Sequence, residues 1–377
     1  MSASSTASLP YSPGLEGIVA GETAISTVED GLRYRGYAVG DLCEHSTFDE
    51  VAFLLLHGEL PNRGQLKAFL ERVAMARRLP EPVKQMFPSM PKWGVPLDAL
   101  RTAVSALASF DQDASDNSAE ANRSKAERLL AQMPMIIADQ YRINNGQQPV
   151  PARPDLTHSA NFLYMLRGVE ASPAEVKSLD VSLILYAEHE FNASTFAARV
   201  IVSTQSDMHA AVVGAIGALK GPLHGGANEK VMDVLKETGG PTTAEQWIND
   251  ALARKARIMG FGHRVYKAGD VRAGILKSYA QAAATTPALQ AWEETAAIIE
   301  RVMAEKKTMF PNLDWPAGRL YHAMDLAIPI YTPMFAMSRI AGWAAHIIEQ
   351  LGNNRLIRPR SIYTGASARD VKPIAER

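Results

Sequence analysis

A chain of 377 residues has room for a large buried core and for two domains. With 47% hydrophobic and 21% charged residues and a formal net charge of −1, it lacks the basic excess that nucleic acid or an anionic membrane surface demands, so a charged ligand must be met by local groups. The single cysteine, Cys43, excludes a disulfide framework and any multi-cysteine zinc or iron–sulfur site, and points to a reducing compartment.

The opening "MSASSTASLPYSPG" carries no basic region, no apolar signal core and none of the arginines of a transit peptide, so a short flexible tail is expected. No apolar run approaches the roughly 20 residues that span a bilayer, and the expectation is a cytoplasmic protein without membrane partners. The few β signals lie in "IVAGETAISTVEDGLRYRG" and in the extended C-terminal tail, too short for a central sheet. In "STFDEVAFLLLHGELPNRGQLKAFLERVAMARRLP", Thr47 and Glu50 form a capping box, Gly58 to Pro61 break the run and Asn62 restarts it, which reads as helix, turn, helix. Helical periodicity recurs in "LDALRTAVSALASF", "NRSKAERLLAQMPMIIADQYRI", "SPAEVKSLDVSLILYAEHEF" and "DMHAAVVGAIGAL". Two polar, turn-rich stretches, "SFDQDASDNSAEAN" and "NNGQQPVPARPD", read as linkers. The fold class is mainly α.

Chemistry concentrates further along. The stretch "VSLILYAEHEFNASTFAARVIVS" reads as one helix, apolar nearly all round from Val181 to Ala187, before it presents Glu188, His189, Glu190, Asn192 and Ser194. Such groups either surface into water or, if buried, demand partners. In "GALKGPLHGGANEKVMDVL", Gly221 and Pro222 stop an apolar run and place His224 just ahead of a new helix beginning near Ala227. A helix N-terminus disfavours the imidazolium, and a neutral imidazole can still donate one hydrogen bond to a developing oxyanion; a plain turn histidine is the structural alternative.

In "RIMGFGHRVYKAGDVRAGIL", Gly260 and Gly262 match part of a dinucleotide loop, but Val265 stands where the third glycine belongs and no strand and crossover frames it. His263 with Arg264, Lys267 and Arg272 suits a polyanion, a dicarboxylate or coenzyme phosphates, against the alternative of an exposed basic loop. Asp314 in "MFPNLDWPAGRLYHAM" precedes Pro316 as the first turn of a helix would, where a carboxylate serves as a cap or as a general base. In "FAMSRIAGWAAHIIEQLGNNRLIRPRSIYTG", Arg339 sits inside an apolar helix and needs an anion, while Arg358 ahead of Pro359 lies in an extended arm that can reach another subunit. His189 and its neighbouring glutamates lack the i, i+4 spacing of helix-borne metal ligands and HExxH is absent, so no metal is expected.

Together, "EHEFNAST", "GPLHGGANE", "GFGHRVYK" with Arg272 five residues on, "FPNLDW" and "RPRSIYTG" resemble, in order, the citrate synthase family, including its 2-methylcitrate synthase branch. The resemblance implies a large helical domain, residues 1–225 and 323–377, with a smaller helical domain inserted at 226–322 and the substrates between them. It further implies that Asp314 removes an α-proton from acetyl-CoA, that His224 binds the enol or enolate oxygen, and that His263 polarises and protonates the oxaloacetate carbonyl. His189, Arg272 and Arg339 would hold the oxaloacetate carboxylates, Phe335 would line the pocket, Lys267 would meet coenzyme phosphate, and Arg358 would enter from the partner of a homodimer. Coenzyme A then enters only as a co-substrate thioester, with no permanently bound cofactor.

After the aspartate the family often carries an aromatic pair, Ser and Gly; this chain has Trp315, Pro316, Ala317 and Gly318, which leaves acyl-chain preference open. "YAEHEFNASTF" and "GWAAHIIEQ" look like the methylcitrate branch. Because "GLEGIVAGETAIS" follows the N-terminus almost at once, a dimer without NADH regulation is expected. A catalytically silent metabolite-binding relative would show damage at His224, His263 or Asp314, and all three are present.

Overall fold

The computed structural model describes residues 11–29, 31–92, 94–262, 266 and 269–377. The expected mainly α class holds: 63% of the described residues are helical. Ten helices occupy the chain up to the His224 turn: α1 (Val39–His45), α2 (Phe48–His57), α3 (Arg63–Ala76), α4 (Glu81–Met86), α5 (Pro96–Leu107), α6 (Ala119–Asn144), α7 (His158–Arg167), α8 (Pro173–Tyr186), α9 (Ala193–Ser203) and α10 (Met208–Leu219). Beyond it come α11 (Ala227–Thr238), α12 (Pro241–Ala253), α13 (Val271–Ala283), α14 (Pro287–Lys307), α15 (Asp314–Ala323) and α16 (Tyr331–Gly352). Three two-residue strands, β1 (Ser26–Thr27), β2 (Arg33–Tyr34) and β3 (Tyr37–Ala38), pair antiparallel in that order.

Local chemistry sets the helix ends. Thr47 and Glu50 cap α2 reciprocally, Asn62 and Gln65 do the same for α3, and Ser172 and Glu175 for α8. Gly58 and Gly168 close α2 and α7 in the left-handed conformation that a Cβ disfavours. The last four residues of "SFDQDASDNSAEAN" already belong to α6: Ser118 caps that helix, and the acidic loop before it is tied down by Arg128 on Asp111 and by the buried Lys125 ammonium donating to Ala114 O and Asp116 O.

Long α16 is buried along most of its length and packs on α6, α9, α10, α2 and α8. Helices α11 to α15 pack mainly among themselves, α12 on α14 and α15 on both α11 and α13, and meet the rest through α13 on α8 and α11 on α16. Past α16 the chain runs extended and exposed. Ile357 N donates to Ser203 Oγ at 3.1 Å and Asn354 Nδ2 to Ser203 O at 3.0 Å, after which the arm leaves the body. No helix among the described residues is long and apolar enough to cross a membrane.

One expectation fails. The stretch from Val181 to Ser203 is two helices: α8 ends at Tyr186 and α9 starts at Ala193 behind the Asn192 cap, with Glu190 at φ 53° between them. Tertiary hydrogen bonds override the helical pattern here. Tyr34 Oη donates toward Ile184 O or Glu188 O, both 3.0 Å away, and the fully buried Glu188 is held by Ser26 Oγ and His346 Nε2, each at 2.9 Å. Glu188 and His189 therefore sit buried in a bend and not on a helix surfacing into water.

Candidate active site

Burial next to His346, Arg339 and Ser26 decides the state of Glu188. Desolvation pushes its carboxyl up, but the histidine, the arginine and the serine outweigh it and hold the group below its ordinary value. His346 is fixed on its other edge by Arg199 Nη1 at 2.9 Å from Nδ1, and Arg199 continues to Glu349 at 2.7 Å. An arginine can only donate, so Nδ1 accepts and Nε2 carries the hydrogen given to Glu188. This network lies directly behind His189, whose Nε2 is 3.0 Å from Tyr266 Oη with the two rings edge to face.

His224 ends the turn after α10, its Nε2 in contact with Ser194 at the head of α9: 3.3 Å from the backbone N and 2.8 Å from Oγ. A backbone N–H only donates, so Nε2 is an acceptor and the neutral ring carries its hydrogen on Nδ1, which has no partner among the described residues. Burial, followed by the Arg339 charge, lowers the imidazole pKa to about 3. Trp343 Nε1 donates to the same Ser194 Oγ at 3.1 Å. The imidazole thus sits in the turn with its acceptor nitrogen held by Ser194 and its Nδ1–H unclaimed among the described residues.

Asp314 opens α15, but its side chain caps nothing. Its backbone N donates to Asn312 Oδ1 at 3.1 Å, and Oδ1 of its carboxylate accepts from Tyr186 Oη at 2.7 Å. Oδ2 accepts no hydrogen bond, and the carboxylate enters no salt bridge, among the described residues. Desolvation is the largest influence, ahead of the opposing Tyr186 hydrogen bond, and raises the carboxyl from 3.8 to about 6.

Phe335 and Arg339 lie one turn apart on α16, with the guanidinium carbon 4.7 Å from the Phe335 ring centre. The same ring meets Tyr186, the partner of Asp314, edge to face at 4.4 Å and His224 at 6.1 Å, so one aromatic side chain lies among the tyrosine, the imidazole and the arginine. Arg339 is 2% exposed; its Nε donates to Tyr186 O at 2.6 Å while Nη1 is buried without a partner among the described residues. Burial lowers its pKa to about 10, which still leaves it charged at neutral pH and in need of an anion.

Arg272 does not lie on an exposed basic loop. It is in the first turn of α13 at 5% exposure, paired through Nε and Nη2 with Asp270 at 2.9 and 2.8 Å, its guanidinium 5.7 Å from the Tyr266 ring centre. Asp270 also accepts from Leu313 N at 3.2 Å, which ties this arginine to the segment carrying Asp314. Arg358 is exposed in the C-terminal arm and is not brought to this chain's own site. His263, Arg264 and Lys267 fall outside the described residues.

Sequence reasoning missed Tyr186, Tyr266 and Asp270. The signal for Tyr186 was available: a tyrosine closing the buried run "LILY" must place its hydroxyl on a partner.

The comparisons agree with this geometry. The family pattern described as "Citrate synthase, C-terminal domain" matches residues 14–360. Citrate synthase 2 of Bacillus subtilis is 45% identical over 366 residues, 97% of this chain and 98% of that protein. A 2-methylcitrate synthase of Mycobacterium tuberculosis is 46% identical over 359 residues, 94% of this chain and 91% of its own length. The solved ternary complex of carboxymethyl coenzyme A and oxaloacetate with citrate synthase from Thermoplasma acidophilum superposes with a TM-score of 0.93 at 34% identity, covering 98% of this chain and 100% of that one. With a neutral imidazole and a buried arginine packed on one phenylalanine, a carboxylate joined to it through Tyr186, and near full-length similarity in both sequence and structure, the chain belongs to the citrate synthase family.

Proposed function

We propose that this enzyme condenses acetyl-CoA with oxaloacetate and water to give citrate and CoA. Asp314 takes an α-proton from the thioester, and the enol or enolate oxygen accepts a hydrogen bond from His224 Nδ1–H. The new carbanion equivalent attacks the oxaloacetate carbonyl, whose oxygen takes a proton from His263, and water then cleaves the citryl thioester. The observation that carries the reading is the cluster on Phe335. A carboxylate raised to about 6, free of any cation bond among the described residues, is held by Tyr186, which packs on the same ring as an imidazole held neutral. A base intended for a carbon acid needs this raised affinity and an open oxygen, whereas a structural carboxylate would be paired.

Arg339 and Arg272 hold the oxaloacetate carboxylates with His189, and Lys267 meets coenzyme phosphate. Residues 226–322 form a small domain over the site, and the large domain comprises 1–225 and 323–377. The extended arm places Arg358 in the site of the partner in a homodimer, working in the cytoplasm. A second reading, 2-methylcitrate synthesis from propionyl-CoA, is favoured by the buried Pro316 and Ala317 beside the base, which present little bulk. An apolar pocket discriminates one methylene by only about 1 to 3 kcal/mol.

The test is thiol release by purified protein from acetyl-CoA or propionyl-CoA, with and without oxaloacetate, in the presence of a chelator. Oxaloacetate-dependent release from both is expected. Release from neither would refute condensation, and no turnover of propionyl-CoA would refute the tolerant pocket.

A further inference from the structure

We infer that Tyr186 is a positioning residue for the base: its hydroxyl holds the Oδ1 edge of Asp314 and leaves Oδ2 alone to meet the acyl α-carbon. The inference rests on the condensation proposed above. Tyr186 is the last residue of α8 and only 2% exposed, and three contacts immobilise it. Its carbonyl accepts Arg339 Nε at 2.6 Å, its ring packs edge to face on Phe335 at 4.4 Å, and its hydroxyl lies 2.7 Å from Asp314 Oδ1.

A carboxylate accepts and does not donate, so the phenol supplies the hydrogen. Burial, then the Asp314 charge, pushes the Tyr186 phenol well above its ordinary value, so it stays protonated at any working pH. The groups facing Asp314 are Tyr186 from α8, Asp270 and Arg272 from the head of α13, Arg339 from α16 and Tyr321 from its own helix. Tyr321 Oη pairs with Ser182 Oγ at 2.6 Å and Arg272 with Asp270, leaving Tyr186 as the donor to this carboxylate among the described residues. Without it the two oxygens become equivalent and the plane of the carboxylate is no longer fixed at the carbon it must deprotonate.

A merely structural tyrosine would affect folding and leave the titration of Asp314 alone, so the test reads the titration. In Tyr186→Phe the ring stays and the donor goes; the ionised carboxylate loses its hydrogen bond and its pKa rises. The acid limb of kcat/KM for acetyl-CoA is expected to move up by about one pH unit and the plateau of kcat to fall about tenfold, with KM for oxaloacetate within about twofold. In parallel, the protonated-carboxyl band in difference infrared spectra, assigned to Asp314 by its loss in Asp314→Asn, should titrate about one unit higher in Tyr186→Phe. If that variant fails to fold, biosynthetic replacement of tyrosine by 3-fluorotyrosine, a more acidic phenol and a stronger donor, should move both readouts the other way, to lower pH. A band and an acid limb that stay in place overturn the inference, however much stability changes. If the unsubstituted enzyme releases no CoA, condensation fails as a reading, and the infrared titration still decides whether Tyr186 sets Asp314.

Discussion

Replacing Asp314 by asparagine should abolish turnover and stabilise the protein, and the second effect follows from the cost of the site. Its carboxyl binds a proton more tightly in the native protein, at about 6, than at the ordinary value of 3.8. The sign follows from linkage. A group whose native pKa is raised contributes stability that is fully present below its unfolded value and is lost as pH rises through the native one, so the native state bears the full penalty at neutral pH. About two pH units at roughly 1.4 kcal/mol each give about 3 kcal/mol, and the partial exposure of the group reduces this to about 2 kcal/mol. Asparagine keeps an oxygen for Tyr186 and carries no charge to desolvate. Urea unfolding at fixed protein concentration should therefore show the variant more stable by about 2 kcal/mol at pH 7.5, with the gap closing toward pH 4. Over the same range the unsubstituted enzyme should lose kcat/KM tenfold per pH unit below about 6, as the base becomes protonated. At pH 7.5 the variant should keep oxaloacetate binding and lose kcat by roughly 10²- to 10⁴-fold. A variant that is less stable at pH 7.5, or one whose oxaloacetate binding collapses while bound substrate still turns over, would show Asp314 to be structural and would falsify this account.

His224→Ala should lower kcat by about 10² to 10³, the effect of removing one oxyanion donor, and the unsubstituted enzyme should show no kinetic ionisation attributable to this ring above about pH 4, because burial holds it neutral. Arg339→Lys keeps the charge but loses the fork that spans Tyr186 O and a substrate carboxylate; KM for oxaloacetate should rise about 10- to 100-fold in steady-state assays, and an unchanged KM would remove Arg339 from that subsite. His263→Ala and Arg358→Ala should each be nearly inactive, yet after subunit exchange about half the dimers are mixed with one intact site each, so activity should recover to about a quarter of the unsubstituted value per protomer. Recovery of nothing after verified exchange would mean that Arg358 does not complete the partner's site.

What the chain made legible was whatever depends on neighbours in sequence. The capping box of Thr47 and Glu50 announces a helix start with side chains three residues apart, and it forms; Asn62 and Ser172 cap α3 and α8 in the same way. The family motifs pointed to Asp314 and His224, and the resemblance to Phe335 and Arg339, and the structure gathers all four around Tyr186. The break between α8 and α9 was not legible, since "LILYAEHEF" contains neither Gly nor Pro, and it is enforced by Tyr34, Ser26 and His346, each 150 residues or more away. The burial of Arg272 was hidden for a nearer reason. Counted with Arg264 and Lys267 it read as one cation of a basic loop, although its actual partner, Asp270, stands two residues before it.

That Asp270 pair also bears on why the base can exist where it does. Two guanidinium groups, Arg272 and Arg339, act on Asp314, and free cations at such a site would drag its carboxyl well below the ordinary range. Neither cation bonds the Asp314 carboxylate among the described residues. Asp270 neutralises Arg272 through two hydrogen bonds and itself pushes the Asp314 carboxyl up, while Arg339 leans on a neutral carbonyl and takes its strongest charge support from Glu188 on the far side. Desolvation is then left as the largest influence, and the carboxyl settles high. The arginines can thus serve the dianionic substrate proposed above without quenching the proposed base beside them. The same arrangement makes the base respond to its donors, because once the charges balance locally the Tyr186 hydrogen bond is the largest remaining influence that favours ionisation.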